Sequence, residues 1–177
     1  MKSNILCNSF AALLIIFSLQ AFTYNSTPSD KIWNDYINEK YKVKISFPES
    51  YTETTTKLKG INAKMLAVTS ETGESMYQLI AIQIGENDNG KAYSIAKKFS
   101  ENLAGNLGGS DMEYSDFDYN EEHRGRETLM NMDDDKQSLF RVIFANGVLY
   151  AFLQEAEAEY IRNEESEKFF ESFTIME

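Results

Sequence analysis

Cysteine is almost missing from this chain. Cys7 is the only one among 177 residues, and it stands before the apolar run at the N-terminus. A lipid-anchored cysteine belongs after such a run, so lipidation is excluded. Histidine and tryptophan also occur once each, as His123 and Trp33, and proline twice, as Pro28 and Pro48. Zinc needs several His or Cys ligands, which the chain beyond Cys7 does not supply. His123 has no G-x-S-x-G elbow to serve, and its setting, EEHRGR, reads as an exposed strand or turn rather than a catalytic triad. Basic charge is scarce as well: 17 Lys and Arg against 28 Asp and Glu give a net charge of −11. An acidic surface repels phosphate backbones, and the longest basic run is Lys97-Lys98, so nucleic-acid binding is excluded as a function class. The acidity is read as a solubility device.

Apolar residues are plentiful, at 42% of the chain with 13% aromatic, which is the composition of a folded protein with one sizeable core. The apolar stretch that organises the rest of the chain is LFRVIFANGVLYAFLQ, residues 139–154. Asn146-Gly147 divides it, and that dipeptide supplies the two positive φ angles of a tight type I′ hairpin turn. Neither flank alternates cleanly. Both strands are therefore expected to be covered on both faces, at the centre of a sheet.

The N-terminus predicts export. Lys2 precedes an apolar run from Phe10 to Phe17 that trails to Ala21, with small residues near its end. This reads as a secretory signal peptide over residues 1–21, too short to span a bilayer as a helix. An uncleaved signal anchor is the alternative. Cleavage near Ala21 leaves about 156 residues with a charge of about −12, without cysteine and hence without disulfides. Residues 22–30 form a polar leader, and residues 31–177 are expected to make one domain.

Along that domain, Asp30 is expected to cap a short helix reaching Tyr36, with Trp33 pinning the segment to a sheet. Residues 41–48, YKVKISFP, alternate strictly and predict a half-exposed strand ended by Pro48. Residues 49–60 are rich in threonine and are expected to form a loop with a marginal strand or helical turn. Residues 61–70 and 76–85 predict a hairpin, with Ile80, Ile82 and Ile84 on one face and Tyr77, Leu79 and Ala81 on the other. The apolar period then lengthens to about 3.6 residues. Ala92, Ile95, Ala96, Phe99, Leu103 and Leu107 make a helical stripe that ends at Gly105, Gly108 and Gly109. Two less buried strands follow over 112–119 and 123–132, with Asp133-Asp134-Asp135 as the turn into the central hairpin. Ser166, Phe169, Phe170 and Phe173 complete one face of a terminal helix capped by Asn163. The fold class is α+β, an antiparallel β-sheet with helices packed on its faces.

Taken in order, several pieces resemble the PsbP-like sandwich family, which also includes a Ran-binding nuclear-import factor and many secreted bacterial proteins. They are ISFPESY (45–51), a mid-chain helix beginning near Gly90, the hairpin RVIFANGVLYAFLQEAEAEY, and FFESF (169–173). The resemblance implies an antiparallel sheet flanked by helices, and a role in binding other proteins or assisting a larger assembly, generally without catalysis. It transfers no particular binding residue.

Three acidic spots have the oxygen ligands that calcium takes. Asp133-Asp134-Asp135 is contiguous, 86–90 (ENDNG) lacks most EF-hand positions, and Glu155, Glu157 and Glu159 share a side only in an extended chain. All three read as solvated turns. The glycines at 105, 108 and 109 follow a helix instead of preceding one, which is the wrong order for a phosphate loop. No catalytic, cofactor-binding or metal-ligating residue is assigned, and no cofactor. The expected function is that of an exported, secreted or periplasmic, non-catalytic protein that binds another envelope or extracellular protein. The alternative is a carrier of a hydrophobic small molecule, suggested by Met65, Met76, Met112, Met130 and Met132 among aromatic residues.

Overall fold

A computed structural model describes residues 32–57, 63–85, 91–133 and 135–176. The signal-peptide and leader segments, Asp30, residues 86–90 and Asp134 lie outside the described residues. Two antiparallel sheets form. The large one has seven strands in the order β3-β4-β5-β9-β8-β7-β6, and the small one has the order β1-β2-β10. The strands are β1 (Trp33–Asn38), β2 (Val43–Pro48), β3 (Tyr51–Lys57), β4 (Lys64–Glu71) and β5 (Ser75–Gln83). They continue with β6 (Ser110–Asp118), β7 (Arg124–Asn131), β8 (Lys136–Ala145), β9 (Val148–Glu157) and β10 (Thr174–Ile175). Helix α1 (Ala92–Leu107) follows β5, and α2 (Glu164–Glu171) precedes β10.

The central hairpin is where the hydrophobic pattern places it. β9 is the middle strand of the large sheet, flanked by β5 and β8. Asn146 and Gly147 turn the chain at φ 51° and 77°, the left-handed pair that a type I′ turn requires. Successive residues of a strand face opposite sides, so β5, β8 and β9 feed two separate apolar layers. Tyr77, Leu79, Ala81, Leu139, Ile143, Tyr150 and Phe152 face the small sheet and α2. Ile80, Ile82, Phe140, Val142, Phe144, Leu149, Ala151 and Leu153 join Ala96, Phe99, Leu103 and Ala104 of α1. Burial on both faces is the physical cause of the unbroken apolar runs.

On the first side the packing is largely aromatic. Phe173 stacks on Phe152 at 4.2 Å and 8°, while Phe169 lies 4.9 Å from Tyr77 and 5.6 Å from Phe47. Fully burying an aromatic ring of this size contributes about 2–3 kcal/mol. Asn163 caps α2 as its side chain predicts, with Oδ1 accepting from the Ser166 amide at 2.9 Å. Gly108 ends α1 in the left-handed region at φ 74°. Inside the other layer a buried polar contact crosses from helix to sheet, Ser100 Oγ to Thr128 Oγ1 at 2.6 Å.

Two sequence expectations fail. The segment before Tyr36 is not a helix: Trp33–Asn38 is the strand β1, paired with β2 so that Tyr36 faces Ile45. Four or five helical residues gain little on their own, because nucleation is costly. Pairing with β2 satisfies the backbone and adds cross-strand contacts from Asp35 to Lys44 (2.8 Å) and Ser46 (2.6 Å). Ile32, which a helix of this segment would place on its apolar face beside Trp33 and Tyr36, is 73% exposed. The threonine-rich segment, expected as a loop with a marginal strand or helical turn, is strand throughout Tyr51–Lys57. It is a regular strand whose β-branched residues suit a pleated edge. The small sheet, completed by β10 after the terminal helix, is a further layer that hydrophobic periodicity did not reveal.

Candidate functional site

Among the polar groups on the large sheet, three centre on Asp116, Glu127 and Gln154, the first two on opposite faces of β7. Arg124 and Arg126 lie two residues apart, as do Asp116 and Asp118 on β6, so all four share the α1 face of that hairpin. Asp116 is the hub. Its Oδ1 accepts from the Tyr93 hydroxyl at 2.5 Å and from Arg126 at 2.5 Å, and its Oδ2 accepts from Arg124 at 3.1 Å. The guanidinium planes rest on rings: Arg124 is 5.0 Å from the Tyr93 centroid and Arg126 is 4.9 Å from that of Tyr114. The Tyr93 hydroxyl and the Arg126 guanidinium hold the Asp116 carboxyl below its ordinary range. The same hydrogen bond to a carboxylate raises the Tyr93 phenol. Burial works against the charge of Arg126, yet the Asp116 carboxylate outweighs it and Arg126 is raised overall.

On the opposite face, Glu127 is buried between two cations. Its Oε2 accepts from Arg141 Nε at 2.8 Å and its Oε1 from Arg162 at 2.7 Å. Arg141 is itself sandwiched between Phe117 (5.1 Å) and Phe170 (5.0 Å). This cluster joins β7, β8 and the approach to α2. Gly125 makes room for it, since a Cβ there would meet the Phe117 ring and the Val142 carbonyl oxygen.

The third group lies under the start of α2. Gln154 is fully buried, and its Nε2 donates to Ser75 Oγ (3.1 Å), Tyr77 Oη (3.2 Å) and the Tyr160 carbonyl (3.0 Å). Tyr77 in turn donates to Glu165 at 2.9 Å. Burial pushes the Tyr77 phenol well above its ordinary value.

In chemical terms, both oxygens of Asp116 and of Glu127 are engaged by guanidinium groups. Carboxylates held in this way fix geometry. A general base would need a lone pair free to meet a substrate proton. The sequence signal for the Asp116 cluster was present as alternating like charges on each arm of a hairpin, Asp-x-Asp against Arg-x-Arg. Without the strand pairing, those charges read only as a polar stretch.

The residues singled out from sequence are dispersed. His123 lies half-buried in the β6–β7 turn, where its amide donates to Asn120 Oδ1 at 2.8 Å. Asp133 and Asp135 are exposed in the β7–β8 turn, the latter at φ 59°. Glu155 and Glu157 lie on β9, whereas Glu159 lies in the 3₁₀ turn Ala158–Tyr160, so the three do not share one extended face. Among the described residues no group of three or more His, Cys, Asp or Glu is placed to hold a metal ion. The five methionines do converge. Met65 and Met130 are buried in the α1-side layer, and Met76, Met112 and Met132 pack against it.

The sequence matches no family model. It matches no curated protein either. The fold does have a solved counterpart, the solution structure of cyanobacterial PsbP (CyanoP) from Synechocystis sp. PCC 6803. The two superpose with a TM-score of 0.56 at 12% identity, over 85% of this chain and 98% of that one. The chain therefore has a PsbP-like α+β sandwich fold. Among the described residues no helix is long and apolar enough to cross a membrane.

Proposed function

We propose that this chain is a non-catalytic accessory protein that acts outside the cytoplasm by binding another protein. The observation that carries the reading is how its interior is used. Both apolar layers are built from the protein's own buried side chains, from Tyr77, Tyr150 and Phe169 on one side to Met65, Met130 and Phe144 on the other. The polar clusters turn their charges on one another, Asp116 with Arg124 and Arg126, and Glu127 with Arg141 and Arg162. What such a molecule offers is its surface. The Lys2 and Phe10–Ala21 pattern supports export, and the PsbP-like fold agrees with an accessory role. In-cell crosslinking followed by mass spectrometry tests this. The expected result is one protein crosslinked repeatedly through the same surface residues, and binding again when both are purified. Absence of any reproducible partner contradicts the reading.

A second reading, a carrier of a hydrophobic small molecule, draws on the methionines gathered beneath α1. It requires α1 to lift away from β7 and β8 to admit a ligand. A hydrophobic ligand that co-purifies and protects the α1 amides from exchange would establish it.

A further inference from the structure

The two edges of the seven-stranded sheet are built differently. β6 is guarded. Its register with β7 shifts between Ser110 and Glu113, Asp111 sits at φ 49°, and four acids line the strand at 111, 113, 116 and 118. Bulges and charges are the ordinary means of keeping an exposed edge from pairing with another chain. β3 carries no such guard. Tyr51–Lys57 pairs residue for residue with Ser70–Lys64 without a shift, and among the described residues no strand lies beyond it. Every residue from Thr52 to Lys57 is exposed. Four of those six are threonine, a residue suited to a pleated strand, and the remaining two, Glu53 and Lys57, cancel in charge.

We propose that β3 pairs antiparallel with β3 of a second copy of this chain, about a two-fold axis at Thr54, so that the two large sheets become one. The sequence of the strand fits its own reverse. With Thr54 opposite itself, Thr52 faces Thr56 of the second copy and Glu53 faces Thr55. Glu53 then lies diagonal to Lys57 of the second copy on the same face, within reach of a long side chain. The two-fold repeats each contact, giving two threonine pairs around the central one and two opposite-charge diagonals, which outnumber the single Glu53–Glu53 diagonal across the axis. An acidic chain pairs with itself here because the strand is neutral, and charges farther away than about 8 Å are screened at physiological ionic strength. A single strand pair buries little side-chain area, so the dimer forms and dissociates with concentration.

Sedimentation of the protein as isolated, across a concentration series, tests the proposal. A reversible monomer–dimer equilibrium is expected. Thr54→Lys sets two like charges on the axis and should leave a monomer at every concentration, with unchanged circular dichroism and melting. Lys57→Glu places carboxylates beside carboxylates and should weaken the dimer by roughly fivefold, and adding Glu53→Lys should restore it to within about twofold. A wild-type monomer up to its solubility limit overturns the proposal. Glu53 also accepts from the Tyr36 hydroxyl at 2.8 Å, so the double variant is compared with the parent by melting as well. A dimer that survives Thr54→Lys, or one that a double variant melting like the parent fails to restore, overturns the proposal equally, since the contact then lies elsewhere.

Discussion

Two buried tyrosines make the fold sensitive to alkali in a way that can be measured. Tyr77 and Tyr150 are both 0% exposed. Burial pushes each phenol well above its ordinary value of 10, because the charged form has lost its water; for Tyr77 the Glu165 carboxylate adds to the effect, and for Tyr150 so does Tyr119. A raised folded value means that the stabilising contribution is complete below the unfolded value and is lost as pH rises through the window above it. In that window the unfolded chain sheds the proton while the folded chain keeps it. At about pH 11, one unit above the unfolded value, each tyrosine has cost at most about 1.4 kcal/mol, or about 3 kcal/mol for the pair. Denaturant melts at about pH 8 and pH 11 measure the loss. Tyr150→Phe isolates one term, since groups that titrate alike in both proteins cancel. At about pH 8 the variant is weaker by about 1–2 kcal/mol, because the Tyr41 carbonyl loses its 2.7 Å hydrogen bond from the Tyr150 hydroxyl. Its further loss on going to about pH 11 shrinks by about 1.4 kcal/mol. If Tyr150→Phe loses as much stability in alkali as the parent, or if tyrosinate absorbance shows both phenols ionising near their ordinary value in the folded protein, the reasoning is refuted.

Gly125→Ala puts a Cβ 2.8 Å from the Val142 carbonyl oxygen, which is backbone in the neighbouring strand, and against the Phe117 ring. Chemical denaturation should show a loss of about 1–3 kcal/mol. Phe169→Ala empties a fully buried site between Phe47, Tyr77 and Phe170. It should cost about 3–5 kcal/mol and speed amide exchange throughout α2. Asn163→Ala removes only the cap of α2 and should cost about 1 kcal/mol, a difference that thermal unfolding resolves.

Much of the architecture was legible because it rests on patterns that are local in sequence. The period-two faces of β5, the 3.6-residue stripe of α1, the Asn146-Gly147 turn and the Asn163 cap each encode their own outcome. What escaped depends on partners distant in sequence. Trp33–Asn38 is a strand because β2 lies beside it, and Tyr51–Lys57 is a strand because β4 does. The polar clusters escaped for the same reason. Glu127 meets Arg162 across 35 residues, and Gln154 meets Ser75 across 79. No spacing rule joins such residues before the strand order is known. Function was less legible still: among the acidic residues singled out, Asp133 and Asp135 lie exposed in a turn while Glu155 and Glu157 lie on β9, and the charges that do converge hold the protein to itself.

The measurement that bears most directly on the proposed role is native mass spectrometry of the protein isolated gently from its own host. A core built from the protein's own side chains and a binding surface predict the bare mass of the chain or its dimer, together with a complex that contains one further protein. A small organic adduct that stays with the chain and is released only on denaturation would contradict that account and make the methionine-lined layer beneath α1 a carrier site.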